Sequence, residues 1–223
     1  MKSFSSFAIA VLGFALLPAL GWLVGGCASS SGGSSAPKPG SGIAEYRAVA
    51  RDAHRAVDAT VKSLEALARP HTQTTSPHPA LPGFDRALHR LELTSIKARA
   101  RAEAIITRGQ AYFDEWKGNL AGITNQTAAR TETMHYDQLR EHFERVRQRS
   151  GELREEFRPF MAKLREFRAR LDKPVGAAVG ESSRQDLDGA TASGRRVLQT
   201  LESVSTALDD AETSLRATLA AKR

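Results

Sequence analysis

The sequence predicts an all-α protein: an elongated antiparallel helical bundle or coiled-coil rod of about four long helices. Three observations predict it. Apolar residues step by alternating three and four through four separate segments, the spacing of packed helices. No sustained period-two run of β-branched residues exists, so a sheet is not expected. With 41% apolar, 26% charged and only 6% aromatic residues, the chain is too apolar for wholesale disorder. Outside its first 25 residues it is also too polar for a multi-span membrane protein. A length of 223 residues suits one modest domain.

The elements follow in chain order. Met1, Lys2 and Ser3 form a short positive region, and Phe4 to Val24 carries no charge, as a secretory leader requires. The run ends in Val24, Gly25, Gly26 and Cys27, an aliphatic residue and two small ones before the sole cysteine. This pattern resembles the lipobox of bacterial lipoproteins, in which the Cys is acylated and becomes the first mature residue. An uncleaved signal anchor is the alternative, since about 20 apolar residues span a bilayer. Pro18, Gly21, Gly25 and Gly26 weaken a continuous membrane helix. Several acyl chains on Cys27 hold a protein where one myristoyl chain is marginal. Ala28 stands where lipoproteins retained in the inner membrane commonly have Asp, so the resemblance implies an outer-membrane anchor facing the periplasm. The rest of the chain has no Cys, which suits an oxidising compartment and excludes a disulfide framework or a Cys-rich zinc site.

Residues 1–26 therefore read as a signal peptide and 27–42 as lipidated Cys plus tether. The stretch ASSSGGSSAPKPGSG has nothing to bury, and as a Gly/Ser-type coil it reaches about 20 Å root mean square. The helical domain is expected over 43–223.

Its first helix, 43–69, has the seam Ile43, Tyr46, Ala50, Ala53, Val57, Thr60, Leu64, Leu67. Residues 70–83 carry Pro70, Pro77, Pro79 and Pro82 and read as a surface loop. The second helix, 84–117, has Phe84, Leu88, Leu91, Ser95, Ala98, Ala102, Ile105, Gly109, Tyr112 and Trp116. Gly118, Gly122 and Asn125 favour a turn near 118–126, a kinked continuous helix being the alternative. The third, 127–172, has Leu139, Phe143, Val146, Ser150, Leu153, Phe157, Phe160, Leu164, Phe167 and Leu171, with Pro159 expected to bend it. Phe143, Leu153, Phe157, Phe160, Leu164 and Phe167 are expected to be the most buried part of the core. The fourth, 181–220, follows Pro174 and Gly180. Its seam reads Leu187, Thr191, Gly194, Leu198, Leu201, Ser205, Leu208, Glu212, Leu215, Leu219.

Charge is the next signal: 32 Lys plus Arg against 25 Asp plus Glu, net +7. At 100° per residue, Arg86, Arg90, Lys97, Arg101 and Arg108 fall within about 60° of one another. Asp85, Glu92, Glu103 and Asp114 gather on the opposite flank of the seam. On the third helix Arg140, Arg147 and Arg154 repeat every seven residues, with Arg158 and Arg165 on the same side. Such strips are either interhelical ion-pair partners or a site for an anionic partner such as lipid headgroups or lipopolysaccharide. A hairpin turning near 176–177 sets residue i of the third helix opposite about 353 − i of the fourth. Arg140 and Arg147 are therefore expected to bracket Asp209, Asp210 and Glu212. Nucleic acid is not expected as a partner, because no aromatic platform accompanies the arginines.

Tyr112 to Arg130, Glu155 to Asp172 and the Leu187 to Leu215 heptads, with Glu115, Trp116 and Pro159 as their best marks, resemble a bacterial family of uncharacterised helical envelope proteins. The resemblance covers about 110 residues and implies a helical envelope protein with no catalytic residues to carry over.

Catalytic signatures were weighed against the same sequence. Glu132 and His135 form a Glu-x-x-His, but a di-iron bundle needs a second copy and two further glutamates. His71 and His78 without a carboxylate make a weak metal site, and no phosphate loop, nucleophile elbow or metalloprotease motif occurs. The expectation is a non-catalytic protein without cofactor, metal or small-molecule substrate, held to the membrane by Cys27, that scaffolds or recruits an unknown protein partner or its own copies. The alternative is a membrane-surface binder that lays its Arg and Lys strips on anionic lipid or lipopolysaccharide. The penultimate Lys222 is a weak echo of lipoproteins joined to the cell wall through a terminal Lys.

Overall fold

The computed structural model describes residues 41–69, 78–171 and 181–221. The expected leader (1–26), Cys27, most of the tether and residues 70–77 lie outside the described residues. Four helices make up the described body: α1 (Ser41–Leu67), α2 (Leu81–Leu120), α3 (Gln126–Leu171) and α4 (Glu181–Ala221). Neighbours in space are α1 with α2, α2 with α3, α3 with α4, and α4 with α1. Each neighbouring pair runs antiparallel. Glu45 meets Arg101, Glu92 meets Arg165, Glu156 meets Arg196, and Glu65 meets Arg195. This is an up-down-up-down bundle in which each helix has two flanking partners.

Two helix starts correct the expected boundaries. α1 begins at Ser41, taking in two residues assigned to the tether, and α2 begins at Leu81 rather than 84. Pro82 fits there because the first turn has no intrahelical acceptor for its N–H to miss. The break between α2 and α3 is a turn, not a continuous kinked helix. Asn125 caps α3, its Oδ1 accepting from the N–H groups of Thr127 and Ala128 at 3.0 Å each. Pro159 lies inside α3, exposed.

The core falls into three stretches along the bundle. The largest joins Val57, Val61 and Leu64 to Phe84, Leu91, Phe160, Leu164, Leu187 and Val197. The middle one centres on Tyr46, Ala102, Val146, Val204 and Leu208. Here the Ser150 hydroxyl donates to the Val146 carbonyl at 2.7 Å, so the Tyr46 phenol donates to Ser150 Oγ at 3.0 Å across the bundle. Burial pushes that phenol's pKa up, only partly offset by Ser150 and Arg154.

The third stretch meets only the first turn of α1, Gly42 lying beside Ile105 and Arg108 and Ile43 packing against the cluster. The remaining space is closed by Phe113, Trp116, Tyr136, Leu139, Phe143 and Leu215. Their rings meet mostly edge to face, Phe113 on Tyr136 at 5.7 Å and Trp116 on Tyr136 at 5.6 Å. The α2–α3 hairpin thus fills with aromatic area what a fourth helix fills elsewhere.

The expected core needs two corrections. Leu153 and Phe157 are only partly buried, whereas Phe160 and Leu164 are completely enclosed. On α4 the heptad positions Leu187, Leu201, Leu208 and Leu215 are buried as expected, but the intervening ones are not. The other half of the seam is Ala190, Val197, Val204 and Ala211. Leu198 is half-buried and Leu219 exposed. The smaller residues win because α1 lies close on that side through its own Ala50, Ala53 and Ala56, all buried.

Close approach is strict at two glycines: a Cβ at Gly109 would lie 2.0 Å from a ring atom of Phe143, and Gly194 is almost as crowded. A Cβ there would lie 3.0 and 3.1 Å from ring atoms of Phe160 and 2.5 Å from the Val61 methyl. Gly151 has open space at the same place. Gly151→Ala is therefore expected to stabilise by up to about 1 kcal/mol in urea titrations, from helix propensity alone. Gly194→Ala is expected to lose stability despite the same gain, by roughly 1–2 kcal/mol. Phe160→Ala should cost about 3–5 kcal/mol and Phe157→Ala clearly less; the reverse order would refute this packing.

Candidate functional site

Among the described residues the charged groups join helices, pair within one helix, or stay unpaired, and four unpaired cations share one face of α2. Along the α2–α3 seam every acid of α2 up to Glu103 is matched by an arginine of α3. Arg168 holds Asp85 at 2.5 Å, Arg165 holds Glu92 at 3.0 Å, and Arg154 lies 3.8 Å from Glu103. Glu103 also accepts from Arg99 at 2.9 Å, and that hydrogen bond, ahead of the nearby charges, holds its carboxyl below the usual range. The α3 strip is thus partly an interhelical ion-pair ladder. Its remaining members turn to their own helix, Arg147 to Glu144 and Arg158 to Glu155.

The expected bracketing of the α4 acids by Arg140 and Arg147 does not occur. Arg140 donates to the Tyr136 hydroxyl at 2.5 Å and sits over that ring, 5.8 Å from its centroid. The register expectation holds, Phe160 meeting Gly194, yet the arginine that reaches Asp209 and Glu212 comes from α1. Arg47 pairs with Asp209 at 2.8 Å and with Glu212. Glu212 takes a second partner, Arg216 one turn on. The Arg47 hydrogen bond, opposed by burial, holds the Glu212 carboxyl below its ordinary pKa.

The residues of the expected anionic-partner strip all lie on α2 and are exposed. The structure divides them. Arg101 is engaged by Glu45 of α1 at 2.8 Å. Arg86, Arg90, Lys97 and Arg108 have no carboxylate within 4.0 Å among the described residues. Between them lie Leu93, 50% exposed, and Ile96, 66% exposed, which the seam analysis passed over because both fall outside its inner face. The readable signal was a second apolar pair, three residues apart, outside the seam: Leu93 beside the basic residues and Ile96 about 80° beyond Arg86, toward Asp85, Glu92 and Glu103.

The other candidates stand as follows. Glu132 and His135 lie in the first turns of α3, and among the described residues no group of three His, Cys, Asp or Glu is placed to hold a metal. His78 accepts from the Ala80 N–H at 3.2 Å and belongs to the start of α2. His71 and the residues Val24 to Cys27 lie outside the described residues. Among those described, no helix is long and apolar enough to cross a membrane. Comparison of the chain with protein-family models, curated proteins and solved structures finds no match.

The Arg47–Glu212 pair gives a pH test. Its carboxyl pKa is lowered on folding, so its contribution is present above the unfolded-state value and lost as pH falls through the folded one. Arg47→Met is expected to destabilise at pH 7 by about 1 kcal/mol, the scale of a partly exposed pair. The difference from wild type should shrink in urea titrations run near pH 3; an unchanged difference would assign the loss to packing of the Arg47 stem.

Proposed function

We propose that this chain is a lipid-anchored, non-catalytic helical protein of the bacterial cell envelope, tethered through Cys27 to the periplasmic face of the outer membrane, where its bundle acts as a scaffold or recruiting surface. The observation that carries this reading is the join of Val24-Gly25-Gly26-Cys27 to a Gly/Ser/Pro tether that ends at the start of a closed four-helix body. An acylated cysteine supplies attachment, and a flexible segment supplies reach. The body adds long surfaces, α3 alone being about 70 Å at 1.5 Å per residue. Its ionisable groups support the same reading, since ion pairs join the helices across all four seams. The resemblance to helical envelope proteins points the same way.

The experiment is made on the chain expressed with its own leader. The wild type should sediment with outer membranes and stay there in high salt, and its mature mass should carry acyl chains on an amino-terminal Cys27. Cys27→Ala should give an unprocessed or soluble product. An unmodified Cys27 in the mature protein would refute the anchor.

A further inference from the structure

We infer that the outward face of α2 between Arg86 and Arg108 docks flat on an anionic lipid surface, with Leu93 and Ile96 entering the headgroup boundary and Arg86, Arg90 and Lys97 meeting lipid phosphates. At 100° per residue, Arg86, Arg90 and Lys97 lie within about 60° of Leu93 on one side, and Ile96 lies about 60° away on the other. Long cationic side chains beside exposed aliphatic ones are the arrangement that an interface between water and acyl chains accepts. The stems lie along the apolar boundary while the charged ends reach phosphate.

Charge decides the occupant. The carboxylates that flank this face between Arg86 and Arg108 are already held, Asp85, Glu92 and Glu103 by α3 and Glu45 by Arg101; the exposed Glu115 lies one heptad beyond Arg108. What remains on the face is uncompensated positive charge beside the exposed Leu93, with the exposed Ile96 at its edge toward α3. A second copy fits it badly. Antiparallel pairing of two α2 helices sets the basic flank of one against the basic flank of the other, and like charges so placed repel. Parallel pairing offers only carboxylates that α3 already engages. An anionic bilayer matches the face along its whole length and lies within reach if the chain is anchored through Cys27. That last condition rests on the proposed function.

The test uses the full acylated chain in vesicles, with Ile96→Cys carrying a polarity-sensitive fluorophore and Ser203→Cys, exposed on the diagonal helix α4, as the control position. Vesicles are phosphatidylcholine alone or with phosphatidylglycerol added. The expected result is a blue shift at position 96 with phosphatidylglycerol only, none at position 203, and reversal in 1 M salt, where screening acts over about 3 Å. Each cation near an anionic surface is worth roughly fivefold, so Arg86→Gln, Arg90→Gln and Lys97→Gln together should lower the docked-to-free ratio about a hundredfold. The corresponding Arg→Lys changes at 86 and 90 should keep the shift.

A shift that appears equally in phosphatidylcholine and grows with protein density would overturn the proposal in favour of pairing between copies. Flotation with the vesicles but no shift in either lipid would overturn it too, leaving the face to an acidic protein. Failure of the anchor reads differently: the chain does not float, and Cys27 takes up a second label.

Discussion

Phe160 standing against Gly194 is the contact on which the rest of the arrangement depends. The ring is wholly enclosed, and the α4 backbone comes close enough that even a methyl group would have to displace it. Such a contact has one solution in register, because interiors are packed too densely to absorb a shift of one residue. Once α4 is fixed against α3, its other flank is fixed too. That flank sets Asp209 and Glu212 at the height of Arg47, and Glu65 beside Arg195. α1 in turn holds α2 through Glu45 and Arg101. Ion pairs of this exposure are worth too little to set the register themselves; they follow the geometry that the phenylalanine and the glycine impose.

Where the sequence was readable, it was readable through size as well as period. The first helix is the clearest case, since seven of its eight seam positions, Tyr46 to Leu67, are buried. The second and third keep their seams but hide extra members, Phe113 and Tyr136 in the aromatic stretch and Met161 in the largest one. The fourth misleads. Its invariant half is shared by two possible stripes, and the larger side chains, Leu198 and Leu219, point to the wrong one. Val197, Val204 and Ala211 are buried instead because the neighbouring α1 brings alanines, and two helices lined with small residues approach closely. Glu212 on the stripe favoured by leucine was the one local sign against it. Hydrophobicity alone orders candidate faces; how near the partner helix comes decides between them, and that is a property of the partner's sequence.

Charge was legible in height but not in direction. The expected register placed the acids of α4 at the level of Arg140 and Arg147, and Phe160 meeting Gly194 bears that register out, but each helix of a square bundle has two neighbours. The acids serve the α1 side, and Arg140 is taken by the Tyr136 hydroxyl and ring. The strip on α2 was legible as a set of cations. Its division was not, because Glu45 is 56 residues from Arg101 in the chain and nothing local links them. Leu93 and Ile96 escaped notice for a related reason: a period search returns the strongest stripe of a helix, and a short second stripe on its far side is read as surface.

The unequal treatment of α2 and α3 is a consequence of this bundle's connectivity. α3 is flanked by α2 and α4, and both supply it with carboxylates, Glu92 and Asp85 on one side and Asp186, through Arg170, on the other. α2 is flanked by α3 and by α1, and α1 is short and alanine-rich. It offers Glu45 to Arg101, while its Asp52 and Asp58 are held within α1 by Arg55 and Lys62. Apart from Arg99, which pairs with Glu103, the cations of α2 that lie beyond reach of Glu45 stay uncompensated among the described residues, because the remaining acids of α1 are engaged within α1 or, for Glu65, by α4. A stability requirement alone would tolerate neutral polar residues there. Four cations beside the exposed Leu93, with Ile96 at the edge of their face, suit the anionic interface proposed for α2, and they sit on the helix whose partner leaves them free.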